Sequence, residues 1–351
     1  MRSPTVWLIV SFVALVAGLP GVVLLQASGE AEERYQAEQP HMGTLFRIVV
    51  YSPDEARARA ACQGAFARIA QLDHIMSDYR DDSELTQLCR QAGGNPVKVS
   101  PDLFRVLSVA QEIARATDGA FDVTAGPVIR LWRRARRQRE LPDPQRLQAA
   151  RALVGYDKMR LDPDQQTVEL KVAEMRLDLG GIGKGFAADE ALHVLRKHGC
   201  TRAMIVAGGD VRVGDPPPNS RGWKIAIAGL ENGAKATEHL LLAHAAVSTS
   251  GDLEQYFELN GTRYSHIVDP KTGQALLGRR SATVVAPTAT QSDAWATALC
   301  VLGEKGIPLI EKHAHFAARL ILADDESPAA PPHVPQVRIL TTSSWQRLPR
   351  P

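Results

Sequence analysis

The chain has 351 residues, 44% of them hydrophobic, enough to bury one large core or two moderate ones. Lys and Arg total 41 against 39 acidic residues, a formal charge of +2, so nothing global points to nucleic acid or to an acidic surface. The four cysteines have no metal-binding spacing, which leaves buried free thiols or, in an exported protein, a Cys62–Cys89 pair.

Arg2 precedes Val6 to Leu25, a run without charge, and Glu30, Glu32 and Glu33 follow it. The run is long for the apolar part of a signal peptide, suits one membrane span, and lacks the polar face of a core helix. Pro20-Gly21 weakens a straight helix, and Ala27-Ser28-Gly29 offers small residues for cleavage. No cysteine lies near it, which excludes a lipid anchor. Residues 1–29 are therefore expected to be a signal peptide or a membrane anchor. Export follows: the protein is periplasmic, or faces the periplasm from the inner membrane. Residues 30–40 are polar and predict a linker.

Thr44 to Tyr51 alternates as a strand does, and Asp54 to Met76 has apolar residues at helical spacing, Cys62 in register with Phe66, Ile69 and Leu72. A shorter helix is expected after Ser83, ending before Gly93. Ser100-Pro101 opens another through Leu103, Val106, Leu107, Ala110, Ile113 and Ala114, with Gly119 as its stop. Pro127 starts a helix bearing Arg130, Arg133, Arg134, Arg136, Arg137 and Arg139. An exported protein rarely meets nucleic acid, so these predict a solvated face within reach of anionic lipid.

Strands are expected at Met159 to Leu161, Thr167 to Leu170, Leu177 to Leu179, Ala203 to Ala207 and Trp223 to Ala228, with a helix from Lys184 to His198. Asn260-Gly261, between Tyr256 to Leu259 and Thr262 to Ile267, is a strong hairpin signal. Strands Ser281 to Ala286 and Arg319 to Ala323 flank a helix from Gln291 to Leu302. Residues 324–351 predict a proline-rich tail with room for one strand at Val337 to Leu340. Strands and helices mix without steady βαβ alternation, so the expected class is α+β, mixed sheets with packed helices.

Three groupings carry chemistry. Asp293 and Thr297, four residues apart, present hard oxygens on one helix face, suited to Mg2+; otherwise Asp293 serves only the helix dipole. His266 and the turn aspartate Asp269 are proton handlers or rim residues. LDLGGIGKGF, Leu177 to Phe186, fits neither a Walker loop nor a dinucleotide fingerprint, since Lys184 precedes Gly185 and the glycines are misspaced. Its lysine and helix N-terminus still suit a phosphate, unless the glycines serve only a tight turn.

Taken in order, His41-Met42-Gly43-Thr44, LDHIMSDYRDDSEL, DGAFDVTAGPV, LDLGGIGKGFAADEA, AGGDVRVGD, VSTSGDLEQYF, SHIVDPKTG and SDAWATAL resemble the ApbE-type FAD:protein FMN transferases over about residues 41–322. The resemblance implies an FAD cleft between two subdomains within a transferase domain spanning 41–323. It also implies a Mg2+-dependent enzyme that splits FAD, releases AMP, and esterifies FMN onto a threonine of an exported, membrane-associated acceptor with an FMN-binding domain. By residue-for-residue match, Met42, Tyr79, Ala120, Phe121, Asp122, Asp178, Lys184 and Ile267 fall at FAD positions. Gly181 (through its carbonyl), Asp293 and Thr297 fall at Mg2+ positions. Many members have alanine or serine in the Gly180-Gly181 pair, a change a carbonyl ligand tolerates. Lys184, with His266 or Asp269 as base, would carry the chemistry. The expected rivals are an FAD pyrophosphatase and a non-catalytic flavin-binding protein.

Overall fold

Along Thr44–Ser52, Phe46, Ile48 and Val50 are buried in one core, and Val49, which points the other way, is buried in another. A strand with two buried faces belongs inside a sheet covered on both sides. The computed structural model describes residues 32–227, 229–230, 238–251, 255–324 and 336–351. Val6 to Leu25, Ala27 to Gly29 and Pro328 to Pro335 lie outside them. Among the described residues no helix is long and apolar enough to cross a membrane.

In chain order the elements begin β1 (Glu33–His41), β2 (Thr44–Ser52), α1 (Glu55–Met76), α2 (Glu84–Arg90), β3 (Val97–Lys98), α3 (Pro101–Ala116), α4 (Gly126–Gln138) and α5 (Pro144–Ala152). Next come β4 (Met159–Asp162), β5 (Thr167–Leu170), α6 (Gly183–Lys197), β6 (Ala203–Ala207), β7 (Asp210–Val213), β8 (Trp223–Ile227) and β9 (Glu238–Leu242). β10 (Ala246–Gly251), β11 (Tyr256–Leu259), β12 (Thr262–Val268), β13 (Ala275–Leu277) and β14 (Arg279–Ala286) precede α7 (Ala289–Leu302) and α8 (Gly306–Glu311). The chain ends with β15 (Ala317–Asp324), β16 (Gln336–Thr341) and α9 (Ser343–Gln346).

The main sheet runs β1-β2-β6-β7-β10-β14-β15-β16, each neighbouring pair antiparallel. Helices α1, α3, α6 and α7 pack their apolar stripes into the core on one face. The β8–β9 hairpin and Trp345 cover part of the other. The α+β class holds. Two expectations do not. The polar stretch read as a linker is β1, paired with β2 from Glu33↔Ser52 to His41↔Thr44. The strand given room at Val337 to Leu340 is present as β16, but it belongs to the main sheet rather than to a tail, paired with β15 from Arg319↔Thr341 to Asp324↔Gln336. Both are edge strands, and an edge needs no continuous apolar pattern because one side meets water.

Two tight turns have backbones that match their sequences. Met42-Gly43 and Asn260-Gly261 both have positive φ, 49° and 72° in the first and 50° and 77° in the second, as two-residue hairpins require. Residues Glu32–Pro351 form one compact unit. Besides the two cores on either side of the sheet, this unit has a satellite core, in which Val128, Trp132 and Ala135 of α4 meet Leu147 of α5 and Phe257, Val268 and Ala275 of β11–β13.

Candidate active site

α6 and α7 meet at an unusually close crossing, and a glycine permits it. A Cβ on Gly185 would clash with the carbonyl oxygen of Ala289 and stand 2.9 Å from the Thr290 nitrogen. One turn on, Asp189 of α6 accepts the amides of Ala289 at 3.0 Å and Thr290 at 2.8 Å, capping α7 from outside. Arg212 of β7 pairs with the same carboxylate at 2.8 Å. The helix therefore starts two residues before the expected Gln291, and Asp293 lies in its second turn rather than its first. That weakens the reading of Asp293 as a dipole partner, since the dipole effect is confined to the first turn.

Asp293 points at the start of α6. Its Oδ2 accepts the Gly185 amide at 3.1 Å and lies 3.4 Å from Lys184 Nζ. Lys184 also pairs with Asp210 of β7 at 2.8 Å. Burial opposes charge on Lys184, but the two carboxylates outweigh it and its pKa is raised. Burial, reinforced by Asp210, pushes the Asp293 carboxyl up to about 7, against the pull of Lys184 and the Gly185 amide. The Gly183 amide donates to Leu179 at 2.8 Å. Two of the first three helix amides are thus committed inside the protein, so the loop offers a phosphate its lysine more than an open amide cradle. The strand expected at Leu177 to Leu179 is absent from every sheet of the described residues; the Asp178 amide donates to the Val123 carbonyl at 2.8 Å.

Thr297, one turn beyond Asp293, shares a hydrogen bond of 3.1 Å with Ser250 of β10. A Cβ on Gly181 would stand 3.0 Å from Thr297 Oγ1 and 3.3 Å from the Phe121 ring. Gly181, Phe121 and Thr297 are therefore neighbours. Among the described residues no three His, Cys, Asp or Glu side chains are grouped to hold a metal. One buried carboxylate, a hydroxyl and an adjacent glycine backbone are nonetheless hard oxygen donors, the kind Mg2+ takes when water and phosphate fill its other positions.

Arg133 corrects the expectation of a wholly solvated arginine face. It pairs with Asp78 and, at 2.7 Å, with buried Asp178, and its guanidinium lies 4.8 Å over the Tyr79 ring. Asp178 also accepts the Gly180 amide at 2.9 Å; burial raises its pKa against the opposing charge of Arg133. Tyr79 remains 76% exposed, an aromatic face open to a stacking ligand.

The other expected residues make contacts within the protein. Asp122 accepts the amide and hydroxyl of Thr124 at 2.8 and 2.7 Å, and burial raises its pKa. Ala120 and Phe121 are buried beside it. Ile267 is buried in the main core, and the Met42 amide donates to Asp73 of α1 at 3.1 Å. Asp269 organises its turn, accepting the Lys271 amide at 2.9 Å and the Thr272 hydroxyl at 3.0 Å. His266 Nδ1 lies 3.0 Å from the Gln255 carbonyl. A carbonyl only accepts, so Nδ1 carries the proton and Nε2 has the lone pair in the neutral ring. An open cavity of about 470 Å³ joins Asp122, Tyr156 and Lys271.

Asp210, Asp189 and Arg133 were not assigned from sequence. Asp210 stands in the AGGD stretch after a strand, and that glycine-flanked acid was the one available signal.

Fold and site together define an α+β enzyme with a buried lysine–carboxylate centre beside a hydroxyl and an exposed aromatic. The ApbE family model matches residues 42–320. The chain is 33% identical over 359 aligned positions to the FAD:protein FMN transferase of Treponema pallidum, covering 97% of this chain and 98% of that one. It is 36% identical over 259 positions to that of Haemophilus influenzae, covering 71% and 75%. The solved flavin transferase ApbE from Vibrio cholerae matches with a TM-score of 0.78 at 26% identity, covering 90% of this chain and 99% of that one. This chain belongs to the ApbE family.

Proposed function

We propose that this chain, an FAD:protein FMN transferase by its family, moves FMN from FAD to a threonine of an exported acceptor flavoprotein and releases AMP. The observation that carries this is the Lys184–Asp293–Thr297 centre beside Gly181. Asp293, Thr297 and the Gly181 carbonyl would hold Mg2+, which when bound neutralises charge on the pyrophosphate. Lys184 adds a full positive charge at the same place. Phosphoryl transfer asks mainly for such positioning and charge offset. The acceptor hydroxyl forms a new bond to the FMN phosphorus as the bond to AMP breaks. His266, through Nε2, takes the hydroxyl proton. Asp178 and Tyr79 address the nucleotide and a ring of FAD.

Retention of flavin by Tyr79 favours transfer over hydrolysis. The apolar run Val6 to Leu25 supports a periplasmic site of action, cleaved or anchored. The test is mass spectrometry of an FMN-binding acceptor domain incubated with this protein, FAD and Mg2+. The domain should gain one FMN on a threonine, and its Thr→Ala variant none; an unmodified wild-type domain refutes the reading.

A further inference from the structure

α4 is basic on the side opposite its core. Val128, Trp132 and Ala135 are buried, while Arg130, Arg134 and Arg137, at spacings of four and three, form one exposed row. Among the described residues no carboxylate pairs with these three; Arg134 donates to Gln138 at 2.7 Å. Like charges at these spacings repel one another, and although the helix C-terminus favours Arg137, the row has no carboxylate partner among the described residues. The flank of the same helix reaches the site. Arg133 holds Asp178 and underlies Tyr79, and Arg136 donates at 2.9 Å to the side-chain oxygen of Gln255, whose main-chain carbonyl accepts from His266.

We infer that Arg130, Arg134 and Arg137 dock an acidic patch of the acceptor protein beside its acceptor hydroxyl. The inference rests on the transferase reading. A protein acceptor has to reach the residues that α4 flanks, whereas a lipid surface does not, so the position favours the acceptor over anionic lipid. Charge pairs at an exposed rim act on encounter and on salt dependence, and leave the chemical step alone.

The test compares the full chain with its Arg130→Glu/Arg134→Glu/Arg137→Glu variant and a triple Gln variant, all checked for equal thermal midpoints. An oligoglutamate peptide should bind the wild type at low salt, dissociate near ~0.3 M NaCl, and fail to bind the Glu variant. With an acceptor domain, the Glu variant should raise acceptor KM by about tenfold or more while kcat stays within about twofold. The Gln variant should fall between, and FAD affinity should not change. FMN transfer with unchanged acceptor KM in both variants overturns the inference alone. So does unchanged KM with loss only of co-sedimentation with phosphatidylglycerol vesicles, which makes the row a lipid surface. Absence of transfer by the wild type instead sinks the transferase reading, and this inference with it.

Discussion

Lys184 faces two carboxylates, Asp210 and Asp293, and the carboxyl pushed up to about 7 is the one beside Thr297. Asp293→Ala should lower FMN transfer at least about 100-fold, the usual cost of one charge-stabilising group. Its thermal midpoint should fall only modestly: the Gly185 amide loses its acceptor, but Asp210 still pairs Lys184 and a carboxyl whose charge burial disfavours is gone. Undiminished transfer would remove Asp293 from the centre. Tyr79→Ala should weaken FAD binding by about tenfold in a fluorescence titration, the worth of one aromatic stack. At this scale the sequence was legible where spacing carried the meaning: Asp293 and Thr297 share a helix face in any helix. Arg133 was not legible. Its six-arginine run looks uniform, and only packing against Asp78 and Asp178 distinguishes it.

Among the elements, the α6–α7 crossing brings Lys184 to Asp293, and it depends on the absence of a side chain at Gly185. Gly185→Ala should destabilise the protein by about 2–3 kcal/mol or more, since the neighbour is backbone that cannot rotate away. A urea melt with an unchanged midpoint would contradict that. α1, α3 and α6 are tied by Arg68, which bonds Asp102 at 2.7 and 2.6 Å and Glu190 at 2.6 Å. Arg68 holds the Asp102 pKa below its usual value; for Glu190 burial works the other way, but Arg68 and Arg105 prevail. Depressed carboxyl pKa values give stability that is present above the unfolded value and lost as pH falls through the folded ones. Arg68→Met should therefore cost about 2–3 kcal/mol near pH 7, the gap from wild type narrowing below about pH 4. A gap independent of pH would mean the loss is packing alone. The helices were legible because each carries a cap and a stripe: Ser83 and Ser100 cap as expected, and Asp54, expected within its helix, is that helix's cap.

The whole molecule is framed by a sheet whose edges are β1, expected as a linker, and β16, expected only as a possible strand in a tail. Glu33, Arg34 and Glu38 make β1 look like linker, and β16 is short and follows prolines. Edge strands are specified by pairing partners distant in the chain, which no local pattern displays. The C-terminus is structural for the same reason: Trp345 is buried against Val285 and Ala317 on the second face of the sheet. Trp345→Ala should cost about 3–4 kcal/mol of stability while leaving FAD affinity intact. Loss of FAD binding in a variant that still folds would link the tail to the site instead. The central claim, that this fold moves FMN to a protein rather than to water, is tested most directly by the time course of AMP release from FAD and Mg2+. Water and the acceptor hydroxyl compete for one phosphorus, and a docked hydroxyl has the advantage of position. Release should be slow alone, rise strongly on adding an acceptor domain, and match the FMN gained by that domain mole for mole. Rapid release of AMP and free FMN, unaffected by the acceptor, would make the protein a hydrolase and contradict the account.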